Sequence, residues 1–296
     1  YPVLVKAAAG GGGKGMRPAH SADELRGAFN TAAHEAQSAF GDGGLYIEKF
    51  VPDARHVEVQ VLADEHGNVA TLGERECTIQ RRHQKLIEET PCVALSPGQR
   101  EAMCAAAYNA ARAIDYANAG TVEFLLGPDG DFYFIEFNAR IQVEHPVTEE
   151  VTGVDLVAMQ LRVAAGETID PGAMPAPQGA AIEARIYAED PERNFAPSPG
   201  TIHTLHLPGG PGIRVDTHLR AGLRVPPHYD SMLAKIIARG RDRAEATARL
   251  AGALDEFRAE GVKHTAALGA RILRHEAFVS GNLSPSLLAG MLADPA

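Results

Sequence analysis

The stretch that most constrains this 296-residue chain runs from Gly120 to Glu144. Within it, Asp129-Gly130 stands between two apolar runs. An Asp-Gly pair flanked in this way is the strongest short-range hairpin signal, because both central residues of a type I′ turn need φ > 0. With that pair as a two-residue loop, Pro128 is expected opposite Asp131, Leu126 opposite Tyr133, and Glu123 opposite Glu136. Directly opposed residues hold their Cβ atoms roughly 4.5–5.5 Å apart. Two carboxylates about 5 Å apart repel by roughly 3 kcal/mol at an effective dielectric of about 20. Such a pair in apolar company needs a cation or a raised pKa. Hard oxygen ligands on stiff strands suit Mg²⁺, which usually takes one or two carboxylates and completes its shell with water and phosphate.

The second run then turns polar. Glu136, Asn138, Arg140, Gln142 and Glu144 alternate with Phe137, Ala139, Ile141 and Val143. In extended chain, alternate side chains share a face, so these five groups are expected to line one side of a continuing strand. A guanidinium clamps anions, and a carboxylate near it can serve as a general base. The plainer reading is the solvated face of a half-buried antiparallel strand.

A hydrophobic content of 45% and a charged content of 22% are ordinary for a globular chain long enough for two or three compact units. The formal net charge of −10 argues against binding nucleic acid through a broad basic surface. Cys77, Cys92 and Cys104 are far apart with no CxxC, so neither a disulfide framework nor a zinc site is expected, and a reducing, cytoplasmic setting fits. No apolar run approaches a membrane span and no signal peptide is visible, so no membrane insertion is expected. The first residues, Tyr1 to Lys6, lack an initiator Met and open inside a strand pattern, which reads as a fragment without its natural beginning.

Val3 to Ala9 reads as a strand, and Gly10, Gly11, Gly12, Gly13, Lys14 and Gly15 follow it. No helix opens on the last glycine, so the dinucleotide fingerprint does not apply. Gly15 also stands where a Walker A loop needs Ser or Thr. What remains is a glycine loop whose N–H groups can fold over phosphates, with Lys6 as a point charge, or else a plain flexible turn. Ser21 to Glu24 is a capping box that opens a helix to about Phe40. Strands are expected over 45–51, 55–62 and 69–77, and then a basic loop from Gln80 to Lys85. A helix is expected from Ser96 to about Ile114, and helical chain over 147–166 broken near Gly153. Prolines 171, 175 and 177 mark a linker. Beyond it, strands are expected over 180–187, 200–207, 213–217 and 232–240, with helices over 243–260, 265–274 and 284–292. The expected organisation is a lid over 1–50, a main unit over 51–177 and a further α+β unit over 178–296.

The order of these pieces resembles the biotin carboxylases, the ATP-grasp subunits or domains of acetyl-CoA carboxylase and its relatives. The residues that carry the resemblance are 5–17, 46–50, 55–64, QRRHQK (80–85), EFNARIQVEHPVTE (136–149), EARIYAEDP (183–191), PSPG (197–200) and YDSMLAK (229–235). It covers nearly the whole chain, and the 80–85 and 136–149 motifs are specific beyond ATP-grasp ligases in general. The resemblance implies an α+β ATP-grasp fold followed by a biotin carboxylase C-terminal domain. It implies that Mg-ATP and bicarbonate give carboxyphosphate, and that biotin on a carrier protein is then carboxylated at N1′. Acetyl-CoA carboxylase, and so fatty acid biosynthesis, is the expected setting. Lys6 matches the lysine on the ATP phosphates, Gly10–Gly13 and Gly15 the lid loop, and Glu48 the acid at the adenine amino group. Lys49, Phe50 and Val51 match the adenine hinge, and His56 a nucleotide-contacting histidine. Gln80, His83 and Lys85 match groups near the phosphates and bicarbonate. Glu123 and Glu136 match the acids bridging two Mg²⁺ or Mn²⁺, supported by Asn138. Arg140, Lys85, Gln142, the N–H of Val143 and Glu144 match the bicarbonate site, with Glu144 as base, and Arg185 matches the arginine that holds the biotin enolate.

The family carries a further N-terminal doubly wound domain, so this stretch alone is expected to have little activity. No Met-Lys-Met motif is present, so the biotin carrier is expected on another segment or chain. A carboxyltransferase and a second copy of the chain are the other expected partners. Two alternatives stand beside this reading: an ATP-grasp ligase for another acid, and a non-catalytic scaffold. Cys77 and His145 are expected to be structural, and His203 and His206 to lie on a strand without a metal.

Overall fold

The computed structural model describes residues 1–9 and 15–293. The expected lid loop at Gly10–Gly13 lies outside the described residues.

A small three-stranded sheet is built from β1 (Val3–Ala7), β2 (Arg17–Ala19) and β3 (Leu45–Lys49), with β1 in the centre. Helix α1 (Ala22–Phe40) packs on it. Ser21 caps the helix by accepting from the Glu24 N–H, and Gly41 ends it in the left-handed region at φ 74°.

The rest of the chain is organised by one antiparallel sheet of eight strands. Labelled in chain order, six of them are β4 (Arg55–Ala63), β5 (Val69–Arg81), β6 (Gln84–Thr90), β7 (Asn118–Leu126), β8 (Phe132–Asn138) and β9 (Ala180–Tyr187). Their spatial order is Ile213–Thr217, Met232–Gly240, β9, β6, β5, β4, β7, β8. Helix α2 (Pro97–Ala113) opens on the Ser96–Gln99 capping box and packs on β4 and β5. Helices α3 (His145–Thr152) and α4 (Leu156–Ala164) follow β8. Helices α5 (Arg243–Glu256) and α6 (Ala266–Arg274) cover the other end of the sheet. The junction expected at 177/178 is crossed by the sheet itself, because β9 pairs with β6 from Ile87–Ala184 to Thr90–Ala181.

Alternation on β9 shows how the sheet sorts its two faces. Ala180, Ile182, Ala184 and Ile186 join the large core with Leu250, Leu254 and Ile272 of α5 and α6. Glu183 and Arg185 take the opposite face, under α3, where Val147 and Val151 pack with Ala181 and Ile237.

Several expectations need correction. The hairpin turn is not a two-residue type I′ loop. Gly130 N–H donates to Gly127 O at 3.0 Å and Gly127 N–H to Asp131 O at 2.8 Å, and of the central residues only Gly130 has positive φ, at 88°. Pro128 and Asp129 therefore form an ordinary turn that Gly130 closes, and Leu126 faces Phe132 rather than Tyr133. A register shift between Glu123 and Phe124 then restores Glu123 opposite Glu136. The polar row does not continue as a strand to Glu144: β8 stops at Asn138, and α3 begins at His145. The expected 69–77 strand runs on to Arg81, and β6 was not foreseen. The helix expected to reach 260 stops at Glu256, and Arg258–Glu260 is a short strand.

The basic segment 80–85 is therefore a tight hairpin rather than a loop. Arg81 pairs with Gln84 and Gln80 with Lys85, while Arg82 (φ 49°) and His83 (φ 68°) both sit in the left-handed region. Non-glycine side chains there are strained by about 1–3 kcal/mol each. Replacing the pair by Asn-Gly, the residues such a turn favours, is expected to raise unfolding stability by about 1–2 kcal/mol. Denaturant unfolding of the two proteins measures it. A less stable Asn-Gly variant is the outcome incompatible with a strained turn.

Candidate active site

The site lies on one face of the sheet where β4, β5, β6, β7 and β9 present charge. His56 and Glu58 share a face of β4, and Glu58 stands opposite Arg75 on β5 and Glu123 on β7. A register irregularity on the β5–β6 pair brings Lys85 and Glu88, three positions apart, to this same face, while Leu86 and Ile87 between them both enter the core. Re-aiming of this kind is what bulges do beside functional sites.

Lys85 is the hub. Its Nζ donates to Glu58 Oε2 and Glu144 Oε1 at 2.5 Å and to Glu123 Oε1 at 3.3 Å. Arg185 donates from Nε to Glu88 at 2.5 Å and from its terminal nitrogen to Glu144 Oε2 at 2.8 Å. Glu144, buried at the start of α3, is thus gripped on both oxygens. Gln142 Nε2 donates to Glu123 at 2.7 Å. His56 Nε2 lies 3.0 Å from Glu123 Oε2, and its Nδ1 meets Gln80 Nε2 at 2.9 Å. Beneath these, Arg75 is fully buried, and its donors reach Glu58, Gln60, Thr148, Thr121 and Gln142.

The charges follow from the contacts. Burial opposes the charge on Glu144, but Lys85, Arg185 and Arg75 outweigh it and hold the carboxyl far below the usual range. Burial likewise opposes Glu123, yet His56, Lys85 and Gln142 bring it down to about 2. Burial works against Lys85 too, and the surrounding carboxylates Glu58, Glu144 and Glu123 more than restore its proton. Cys77 lies among them, and burial pushes its thiol far up, so it stays neutral at pH 7.

Other expected site residues stand apart. Arg140 is exposed and donates to Asn138 Oδ1 at 3.2 Å and Ile141 O at 3.3 Å, not to Glu144. Arg140 and Glu144, expected side by side on one strand face, are therefore not partners: Lys85 and Arg185 hold the Glu144 anion, because the chain leaves the strand at Asn138. Glu136 is exposed and accepts from Asn138 Nδ2 at 3.2 Å. His83 is exposed at its turn. Val143 offers its carbonyl to Lys235 Nζ at 2.9 Å. On the small sheet, Lys6 Nζ meets Glu48 Oε1 at 3.1 Å, and Gly15 turns at φ 69°. Lys49 meets the Tyr133 hydroxyl at 2.8 Å, and Phe50 and Val51 are half-buried. His203 and His206 are exposed, and neither joins a metal-capable cluster among the described residues.

Two family models account for most of the chain. Residues 1–171 match the carbamoyl-phosphate synthase L chain ATP binding domain, and residues 183–290 match the biotin carboxylase C-terminal domain. The chain belongs to the biotin carboxylase family. It is an ATP-grasp domain joined to the biotin carboxylase C-terminal domain, a mixed α+β architecture. A biotin carboxylase of Nostoc sp. is 51% identical over 98% of this chain and 65% of its own length. A pyruvate carboxylase polypeptide of Methanothermobacter thermautotrophicus is 53% identical over 96% of this chain and 58% of its own. The biotin carboxylase domain dimer of a Hydrogenobacter thermophilus 2-oxoglutarate carboxylase, solved with MgADP, ADP and bicarbonate, superposes with a TM-score of 0.95 at 45% identity. That match covers all of this chain and 66% of the other. The chain thus spans about two thirds or less of the relatives it matches.

Within this biotin carboxylase fold, sequence reasoning missed the supporting layer: Glu58, Arg75, Glu88, Glu183 and Lys235. Alternation of His56, Glu58 and Gln60 along β4 was a usable signal for Glu58. Arg75 gave none, since a lone arginine in a strand pattern is ordinarily solvated.

The depressed Glu123 has a measurable consequence. Its folded value of about 2 lies below its ordinary 4.5, so its stabilising contribution is complete above pH ~4.5 and is lost as pH falls toward ~2. That loss is expected to reach about 3 kcal/mol, and Glu123→Gln should not show it. Chemical denaturation across this acid range tests it: equal acid slopes in the two proteins would exclude the contribution.

Proposed function

We propose that this chain carries out ATP- and bicarbonate-dependent carboxylation of biotin, the first half-reaction of a biotin-dependent carboxylase. The observation that carries this is Glu144, a buried carboxylate held between Lys85 and Arg185 with the Glu123 side chain adjoining. An anion binding there would draw Lys85 and Arg185 toward itself and free Glu144 to act as base. Glu144 would accept the bicarbonate proton, and the oxygen so exposed would attack the γ-phosphorus of ATP, releasing ADP and leaving carboxyphosphate. Carboxyphosphate would break into CO2 and phosphate. Phosphate would take the N1′ proton of biotin, Arg185 would hold the ureido oxyanion, and N1′ would add to CO2. Arg140, Gln142 and the N–H of Val143 would complete the bicarbonate pocket.

The donor set suits Mg²⁺: Glu123 and Glu136 present hard oxygens from paired strands, with Asn138 next to Glu136. These three residues would hold the ions, which would supply positive charge to the phosphates. Lys6, Gln80, His83 and His56 would attend the phosphates and nucleotide, beneath the loop of Gly10–Gly13 and Gly15. Glu48, Lys49, Phe50 and Val51 would bind adenine. We assign the lid to 1–50, the main ATP-grasp unit to 51–177 and the C-terminal domain to 178–296.

The partners are a biotin carboxyl carrier protein, a carboxyltransferase and a second copy of the chain, the last supported by the dimeric relative. Among the described residues no helix is long and apolar enough to cross a membrane. Acetyl-CoA is the acceptor we propose, on the sequence resemblance alone; the M. thermautotrophicus relative, a pyruvate carboxylase polypeptide, makes pyruvate the competitor to test. The deciding experiment supplies the full-length protein with Mg-ATP, radiolabelled bicarbonate and free biotin. Label in biotin with matching ADP release is expected. ATP turnover that ignores biotin would instead point to a ligase for another acid.

A further inference from the structure

Beside the Arg185 guanidinium lie two acids that the proposed chemistry does not use. Glu88 on β6 and Glu183 on β9 stand directly opposite each other, and both are fully buried. Opposed residues in an antiparallel pair share a face, with Cβ atoms roughly 4.5–5.5 Å apart. Glu88 holds Arg185 Nε through one oxygen, and its other oxygen has no partner among the described residues. Neither oxygen of Glu183 has one.

Among the described residues no nearby cation is spare. Lys85 is engaged by Glu58, Glu123 and Glu144. Lys235 serves Val143 O and Asp216. Arg185 is divided between Glu88 and Glu144. Helix α3, packed across this face, brings His145, Glu149 and Glu150, of which the two acids are taken by Arg214. A second full negative charge beside Glu88 would therefore be buried with only partial compensation from Lys235 and Arg185, both already engaged elsewhere, and burial together with the Glu88 charge outweighs them.

We propose that Glu88 is the positioning residue for Arg185, and that Glu183 holds a proton beside it so that the pair shows the guanidinium a single negative charge. Burial and the adjoining charge push both carboxyls above the ordinary carboxylate range, in keeping with this. One charge fixes the Nε edge of Arg185 and leaves its terminal nitrogen directed at Glu144. Two charges would compete with Glu144, and with any anion there, for the same guanidinium. The functional part of this inference rests on the biotin carboxylation reading above. The protonation state does not.

Two measurements on the full-length protein test it. Infrared spectroscopy in H2O and D2O is expected to show a buried protonated carboxyl band at neutral pH that disappears in Glu183→Gln. Absence of the band, or its survival in that variant, overturns the assignment whatever the protein catalyses. In turnover assays, Glu88→Gln is expected to lower kcat for biotin-dependent ATP cleavage by about 10²-fold with little change in the KM for ATP, as a misdirected guanidinium would. Glu88→Asp should recover part of the loss. A fall confined to KM, or none, overturns the positioning role. A wild-type protein that shows the band but carboxylates no biotin would refute the functional reading alone.

Discussion

Glu144→Gln is expected to lower bicarbonate-dependent ATP cleavage by about 10²–10⁴-fold, the range that general base catalysis contributes. The substitution keeps the shape of the side chain and removes only its capacity to take a proton. In the free protein Glu144 is a weak base, because Lys85 and Arg185 occupy both oxygens. Its basicity must rise when anionic substrates attract those two cations, so the effect should fall on kcat, with the KM for ATP nearly constant. Single-turnover measurements with saturating Mg-ATP and bicarbonate would show this. A variant retaining more than roughly a tenth of wild-type turnover would remove Glu144 from the role of base.

Arg75→Met is expected to cost about 3–5 kcal/mol of folding stability. Arg75 is completely buried and satisfies five hydrogen bonds, the shortest to Glu58 and Gln60 at 2.6 Å. Methionine fills similar space, so the loss is chiefly electrostatic: Glu58 remains buried with Lys85 as its remaining close cation. A fall in melting temperature on the order of 10 °C follows for a chain of this size. Adding Glu58→Gln should recover part of it, since the stranded charge goes with the acid. Equal melting temperatures for wild type and Arg75→Met, or a double variant less stable than the sum of its parts, would refute the account.

What the sequence disclosed depended on whether the signal was local. Ser96 with Gln99 and Ser21 with Glu24 marked two helix starts, because capping needs only neighbouring residues. Alternation exposed β4 and β9. The opposition of Glu123 and Glu136 was foreseen through a turn that does not exist as drawn; the ladder shift near Phe124 cancelled that error. The polar row after Asn138 misled because period two was extended past the strand, while Pro146 stood ready to open a helix. Arg82 and His83 hid a tight turn, since neither favours positive φ. Arg75, Glu88 and Glu183 were invisible for another reason. Their importance lies in contacts with residues 15 to 97 positions away or directly across the sheet, and no local pattern encodes such partners.

The ladder joining β6 to β9 has a mechanical meaning. A run of main-chain bonds across a sheet resists shear and bending far more than a side-chain interface does, so Lys85 and Arg185, anchored on those two strands, behave as jaws cut from a single plate. Their separation is set by the spacing of strands and not by any swing of one half of the chain against the other. Among the described residues the small three-stranded sheet shares no rung with that plate, so an opening for the proposed nucleotide is to be sought there.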